Sequence, residues 1–158
     1  MKKIFFAVFA AVACICLSCN NASTATKNSS LQQKNLEASH AINRAFETGD
    51  VSGIDSVVAD DYVDHTDRGD MKGRDSLKAM VNFVRSNFRD MKMEIVHEVA
   101  DGDYVFSWNR YTGTSEGSEG MPKGPYDMEA VEVLRFRDGK IMEHWSFMDM
   151  QDMMKMMG

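Results

Sequence analysis

At Arg89 the apolar residues of this chain stop recurring every three to four positions and begin to alternate. Upstream, Leu36, Ile42 and Phe46, with Ala38, Ala41 and Ala45 between them, mark one face of a helix in "LQQKNLEASHAINRAFETGD", and Gly49 is placed to end it. A short helix is expected around residues 52 to 59, followed by an extended piece carrying Tyr62 and His65. A further helix runs from about Asp75 to Phe88, with Leu77, Met80, Val81 and Val84 on one side. Downstream, "KMEIVHEVADGDYVFSWNRYTG" and "YDMEAVEVLRFRDGKIMEHWSFM" each read as two strands, turned at Asp101-Gly102 and at Asp138-Gly139. Helices followed by strands predict an α+β fold, with the helices packed on one face of an antiparallel sheet. The closing "DMQDMMKMMG" reads as a short methionine-rich helix with Asp149 as its N-cap.

The first residues carry a different signal. In "MKKIFFAVFAAVACICLSC" two lysines precede an apolar run of signal-peptide length, too short for a comfortable membrane span. The "LSC" ending at Cys19 resembles a bacterial lipoprotein box, with Cys16 where leucine is usual, so residues 1–18 are expected to be an export signal and Cys19 the lipidated first residue. An ordinary signal cut near "NASTA" is the alternative. Small polar residues 19–30 then read as a flexible tether and residues 31–158 as the domain. Asn20 is not the aspartate associated with inner-membrane retention, which favours an outer-membrane location.

All three cysteines lie within residues 1–19, ahead of the domain, so the domain has no disulfide to lean on. Without the two leader lysines, 16 basic side chains face 24 acidic ones, a formal charge of about −8 that disfavours nucleic acid as a partner. No phosphate loop or dinucleotide fingerprint is present, and the sequence calls for no cofactor. No histidine pair at i, i+4 and no cysteine in the domain suggests zinc or iron. The run "MDMQDMMKMM" has the thioethers to hold a soft ion such as Cu(I), but packing of a helix face explains it more cheaply.

The order of "YVDH", "GD" between two strands, "GT" before a glycine-rich loop, "RFRDGKIMEHW" and a closing "MMG" resembles the SnoaL-like polyketide cyclases of the nuclear transport factor 2-like superfamily, over roughly residues 32 to 158. The resemblance implies a curved sheet wrapped into a cone around a pocket, capped by the N-terminal helices, and dimers formed through the outer sheet face. It does not imply one activity, since this scaffold hosts cyclases, isomerases, dehydratases, hydrolases and binding modules.

Strand alternation sorts Met142, His144, Ser146 and Met148 onto one face of the last strand and Glu143, Trp145 and Phe147 onto the other. The preceding strand separates Ala130, Glu132 and Leu134 from Val131, Val133 and Arg135. The resemblance puts Glu132, His144 and Ser146 in the pocket, with Ser146 where the family's acid/base aspartate stands and Ser115 in "GTS" where a histidine is frequent. His144 held by Glu132 is the candidate proton-transfer pair. Tyr62 and His65 of "YVDH" are expected near the ligand, while Asp64 and Asp67 read as solvated loop residues. Trp108 and Trp145 are packing residues first and stacking platforms second. Asp149 becomes an acid/base candidate if the strand faces are reversed.

Two functions follow. One is an exported lipoprotein that binds a small apolar molecule in the cone; the other is a cofactor-independent cyclase or isomerase using His144. The serine at position 146 tips the sequence reading towards binding.

Overall fold

The computed structural model describes residues 19–117, 121–149, 151–152 and 154, with side chains described from Ser29 onward. The leader therefore lies outside the described residues, as do the side chain of Cys19 and much of the methionine-rich end. Helices α1 (Cys19–Thr48), α2 (Ile54–Val57) and α3 (Arg74–Asn87) alternate with strands β1 (Val58–Thr66) and β2 (Gly69–Lys72). Strands β3 (Phe88–Asp101), β4 (Tyr104–Ser115), β5 (Gly124–Arg137) and β6 (Lys140–Met148) follow. Residues 20–30, expected as a tether, continue the helical rod of α1.

The strands form one curved, unclosed sheet in the order β2-β1-β6-β5-β4-β3. Its neighbours are antiparallel except β1 and β6, which run parallel. Register shifts at Arg89/Lys92, Ile95/His97, Arg135/Phe136 and Val58/Val63 interrupt the ladders. Such shifts bend and twist a sheet, which is how long strands like β3 and β5 curve around the helices. Asp138 and Gly139, at φ 54° and 76°, make the two-residue turn between β5 and β6. The other expected turn falls one residue later than read, at Gly102-Asp103. Strand β2 escaped the sequence reading because "GDMK" has no apolar alternation; it pairs with β1 through a tight turn.

Ala38, Ile42 and Ala45 lie on the buried stripe of α1, and Gly49, at φ 80°, closes the helix with its N–H on the Ala45 carbonyl at 2.8 Å. That stripe packs with Leu77 and Val81 of α3 and with Val58, Val105, Phe136 and Ile141 of the sheet. Burying each of the larger apolar side chains in this set contributes about 1.5–3 kcal/mol. A second cluster, of Met91, Tyr111 and Ala130 with Phe46, Val84 and Met128 against it, fills the far end of the same helix-to-sheet layer. Between the two clusters the layer stays open.

Candidate functional site

A cavity of about 240 Å³ lies between the helices and the inner sheet face. Ile42 and Phe46 of α1, Leu77 and Val84 of α3, and Met91, Met93, Met128 and Met148 of the sheet supply its apolar wall. Most of its polar groups come from alternate positions of four strands: Tyr62 and Asp64 from β1, Ser107, Asn109 and Tyr111 from β4, Tyr126 and Glu132 from β5, and His144 and Ser146 from β6; Ser39 and Asn43 of α1 complete them. The inner-face sorting of β5 and β6 read from the sequence matches this lining.

His144 is at the centre. Its Nδ1 lies 2.8 Å from Asp64 Oδ1 and its Nε2 2.7 Å from Glu132 Oε2. Glu132 Oε1 in turn accepts the hydroxyls of Tyr111, at 2.7 Å, and Ser146, at 3.0 Å. Tyr111 Oη also accepts a long bond, 3.4 Å, from Asn109 Nδ2. Five side chains thus form one hydrogen-bonded chain, Asp64–His144–Glu132–Tyr111–Asn109, across the inner face.

Burial alone pulls the His144 pKa down, but the hydrogen bonds to Asp64 and Glu132, and then their charges, outweigh it and raise the pKa from 6.5 to about 9. A ring with a carboxylate on each nitrogen is held as imidazolium, with both N–H groups donating. Locked in this way, His144 is not a free base at neutral pH. Glu132 has both oxygens committed. Asp64 does not: its Oδ1 takes the His144 bond, and its other oxygen has no partner among the described residues. Two positions before it, Tyr62 lines the same cavity, only 2 % exposed, and its hydroxyl donates to no described residue. Burial, followed by the charges of Asp64 and Glu132, raises the Tyr62 pKa, so the phenol stays protonated.

Asp64 was expected to be a solvated loop residue, and this is corrected: the extended piece is a paired strand, and its alternation carries Asp64 inward beside Tyr62, to 8 % exposure. Asp67 lies exposed in the β1–β2 turn. The same alternation turns His65 to the outer face, where its ring stacks on Trp145 at 4.7 Å and its Nδ1 lies 2.9 Å from Asp70 Oδ1. His65 and Trp145 therefore sit together, away from the cavity. Trp108 also faces outward, half exposed, with its Nε1 donating to Glu129 at 2.8 Å. Asp149 Oδ1 accepts the Gln151 N–H at 2.7 Å, and Asp149 is not part of the cavity wall. Ser115 is fully buried at the end of β4 and supports the loop, its hydroxyl oxygen accepting the Gly117 N–H at 3.1 Å.

The sequence reading passed over Tyr111, Asn109 and Ser107, although "VFSWNRY" alternates as plainly as β6 and places them on the face opposite Phe106, Trp108 and Arg110. It also passed over Glu98, which joins Ser39, His40 and Ser107 and ties α1 to the sheet beside the cavity. Among the described residues, no group of three or more His, Cys, Asp or Glu side chains is placed to hold a metal ion.

A family model described as SnoaL-like polyketide cyclase matches residues 37–157. No curated protein sequence matches. Among solved structures, TsrD from Streptomyces laurentii is similar with a TM-score of 0.68 at 20 % identity, over 82 % of this chain and 96 % of that one. IdmH, a putative polyketide cyclase from Streptomyces antibioticus, gives 0.64 at 25 % identity, over 78 % and 98 %. A putative polyketide cyclase from Bacillus cereus gives 0.65 at 25 % identity, over 79 % and 80 %.

Proposed function

The chain belongs to the SnoaL-like polyketide cyclase family, and from that premise we propose that it catalyses cofactor-independent proton transfer on a small, mainly apolar carbonyl compound. The observation that carries this is the placement of a carboxylate with a free oxygen, Asp64, beside a free phenol donor, Tyr62, in an apolar cavity. Asp64 takes a proton from the carbon next to the carbonyl. Tyr62 donates a hydrogen bond to the carbonyl oxygen as negative charge gathers there, and Asp64 returns the proton at the same or a neighbouring carbon. His144 positions Asp64 and, as a fixed cation between Asp64 and Glu132, offsets the repulsion between the two carboxylates. Asp64 thus takes the role left open by Ser146.

The test is hydrogen exchange. Incubated with α-tetralone in deuterated buffer, the protein is expected to speed exchange beside the carbonyl, and Asp64→Asn to lower that rate about 100-fold without unfolding the domain. Equal rates for the two proteins sink the reading. Ligand carriage without turnover is the second reading, favoured by Ser146, whose hydroxyl is spent on Glu132. It predicts binding of the ketone with no exchange.

We further propose that the protein is exported, lipidated at Cys19 and anchored to a membrane, the outer one in preference to the inner, with a second copy of the chain as its partner through the outer sheet face. The leader sequence supports the first part, and the exposed apolar side chains of that face support the second.

A further inference from the structure

The far end of the polar chain is Asn109, only 1 % exposed and part of the cavity wall. Its Nδ2 is committed to Tyr111 Oη, which leaves Oδ1 as a buried acceptor with no hydrogen-bond partner. Across from β4, on helix α1, Asn43 also lines the cavity, and its Nδ2 is a buried donor with no partner. A buried amide atom left unpaired is destabilising, and an apolar side chain at either position would avoid that cost. Two such atoms, one acceptor and one donor, in the wall of one cavity form a pattern that packing does not explain. A hydroxyl is complementary to both, since it donates one hydrogen bond and accepts another.

We infer that Asn109, with Asn43, forms a second polar subsite that reads a hydroxyl on the ligand, so that the substrate class is a hydroxylated carbonyl compound held by its carbonyl at Tyr62 and by its hydroxyl at Asn109. This rests on the proton-transfer reading for the carbonyl end alone. The hydroxyl end stands on the orphaned amide atoms. A site built to pair a ligand hydroxyl discriminates strongly against the analogue that lacks it, because its own buried groups are then left unsatisfied.

The experiment measures binding and exchange separately. Calorimetry compares α-tetralone with the isomeric hydroxytetralones that carry a hydroxyl on the aromatic ring, and with their methoxy ethers, which accept but cannot donate. Wild-type protein is expected to bind at least one hydroxytetralone about tenfold more tightly than α-tetralone, the worth of one hydrogen bond to a buried acceptor, and to lose that gain with the matching ether. Asn109→Leu is expected to bind hydroxytetralone and α-tetralone alike. Equal affinity of the wild type for all three ligand types, or no binding of any, overturns the subsite. So does a hydroxyl preference that survives in Asn109→Leu. The wild-type comparison needs no variant to fold. Loss of exchange with the hydroxyl preference intact would count against the proton-transfer reading and leave the subsite standing.

Discussion

Asp64 and His144, 80 positions apart in the chain, are register partners on parallel strands and share a 2.8 Å hydrogen bond. Parallel pairing makes this contact possible: β1 enters the sheet beside the last strand, so a residue from the helical half reaches a histidine near the C-terminus. The raised His144 pKa depends on that contact as well as on Glu132. In Asp64→Asn the ring loses one of its two anionic acceptors, and its pKa is expected to fall from about 9 towards the ordinary value. Titration of the His144 ring by NMR measures this. An unchanged midpoint would show that Asp64 does not hold the charge.

Stability should depend on pH through the same ring. The folded pKa, about 9, lies above the ordinary 6.5, so the folded state binds this proton more tightly than the unfolded chain. The stabilisation is fully present below pH 6.5 and is lost as pH rises through about 9. Its size is on the order of 3 kcal/mol at most, less where solvent screens the ring. Denaturant midpoints are expected to fall across that interval in the wild type and to be flatter in His144→Gln. A wild-type midpoint that climbs over the same interval contradicts the assignment.

The α+β class and the two β-hairpins were legible because period and alternation are local properties of the chain; alternation also grouped His144 with Ser146, but the family resemblance chose the face carrying Glu132, His144 and Ser146 as the inner one. Asp64 was not, and the reason is physical. "VADDYVDHTD" carries four aspartates, a composition that reads as a solvated loop, and only pairing with β6 and β2 makes it a strand with an inner face. His65 was misplaced by the same gap: once the stretch is a strand, Tyr62 and His65, three apart, must face opposite ways. The role of Asn109 was hidden for another reason. Alternation puts it on the inner face, but no local pattern announces that its Oδ1 is buried there without a partner.

Lipidation at Cys19 predicts that the full-length chain partitions with membranes and that Cys19→Ala is released as a soluble or uncleaved form. Fractionation of cells expressing each form measures this. Equal distribution of the two removes the lipid anchor. The domain has no cysteine downstream of Cys19, so its melting point is expected to be insensitive to reductant.

On the outer face, Trp108, Val131 and Phe147 are register neighbours on β4, β5 and β6, and are 44 %, 41 % and 59 % exposed. Phe106, 40 % exposed, extends the patch. Under the dimer proposed above, this is the apolar surface that a second copy of the chain would cover. Light scattering is expected to give a dimer for the wild type and a monomer for Val131→Asp, with the exchange activity of the cavity retained. A monomeric wild type ends this reading.

Adjacent residues of β6 should separate ligand effects from packing effects. His144 faces the cavity and its bonds run to Asp64 and Glu132, whereas Trp145 faces outward under His65, with an interplanar angle of 15°. His144→Gln keeps a polar side chain in the cavity but cannot carry the charge between two carboxylates. It is expected to lower exchange on α-tetralone by about 100-fold and to cost stability below pH 6.5, where the imidazolium contributes most. Trp145→Phe removes part of the stacked surface and the indole N–H, a packing loss of about 1–2 kcal/mol, with ketone affinity unchanged because the ring never reaches the cavity. Isothermal calorimetry and denaturant unfolding on the two variants read both quantities. If Trp145→Phe weakened ketone binding while His144→Gln altered only stability, the inner and outer faces of β6 would have to be exchanged, and Asp149 would return as the carboxylate to test.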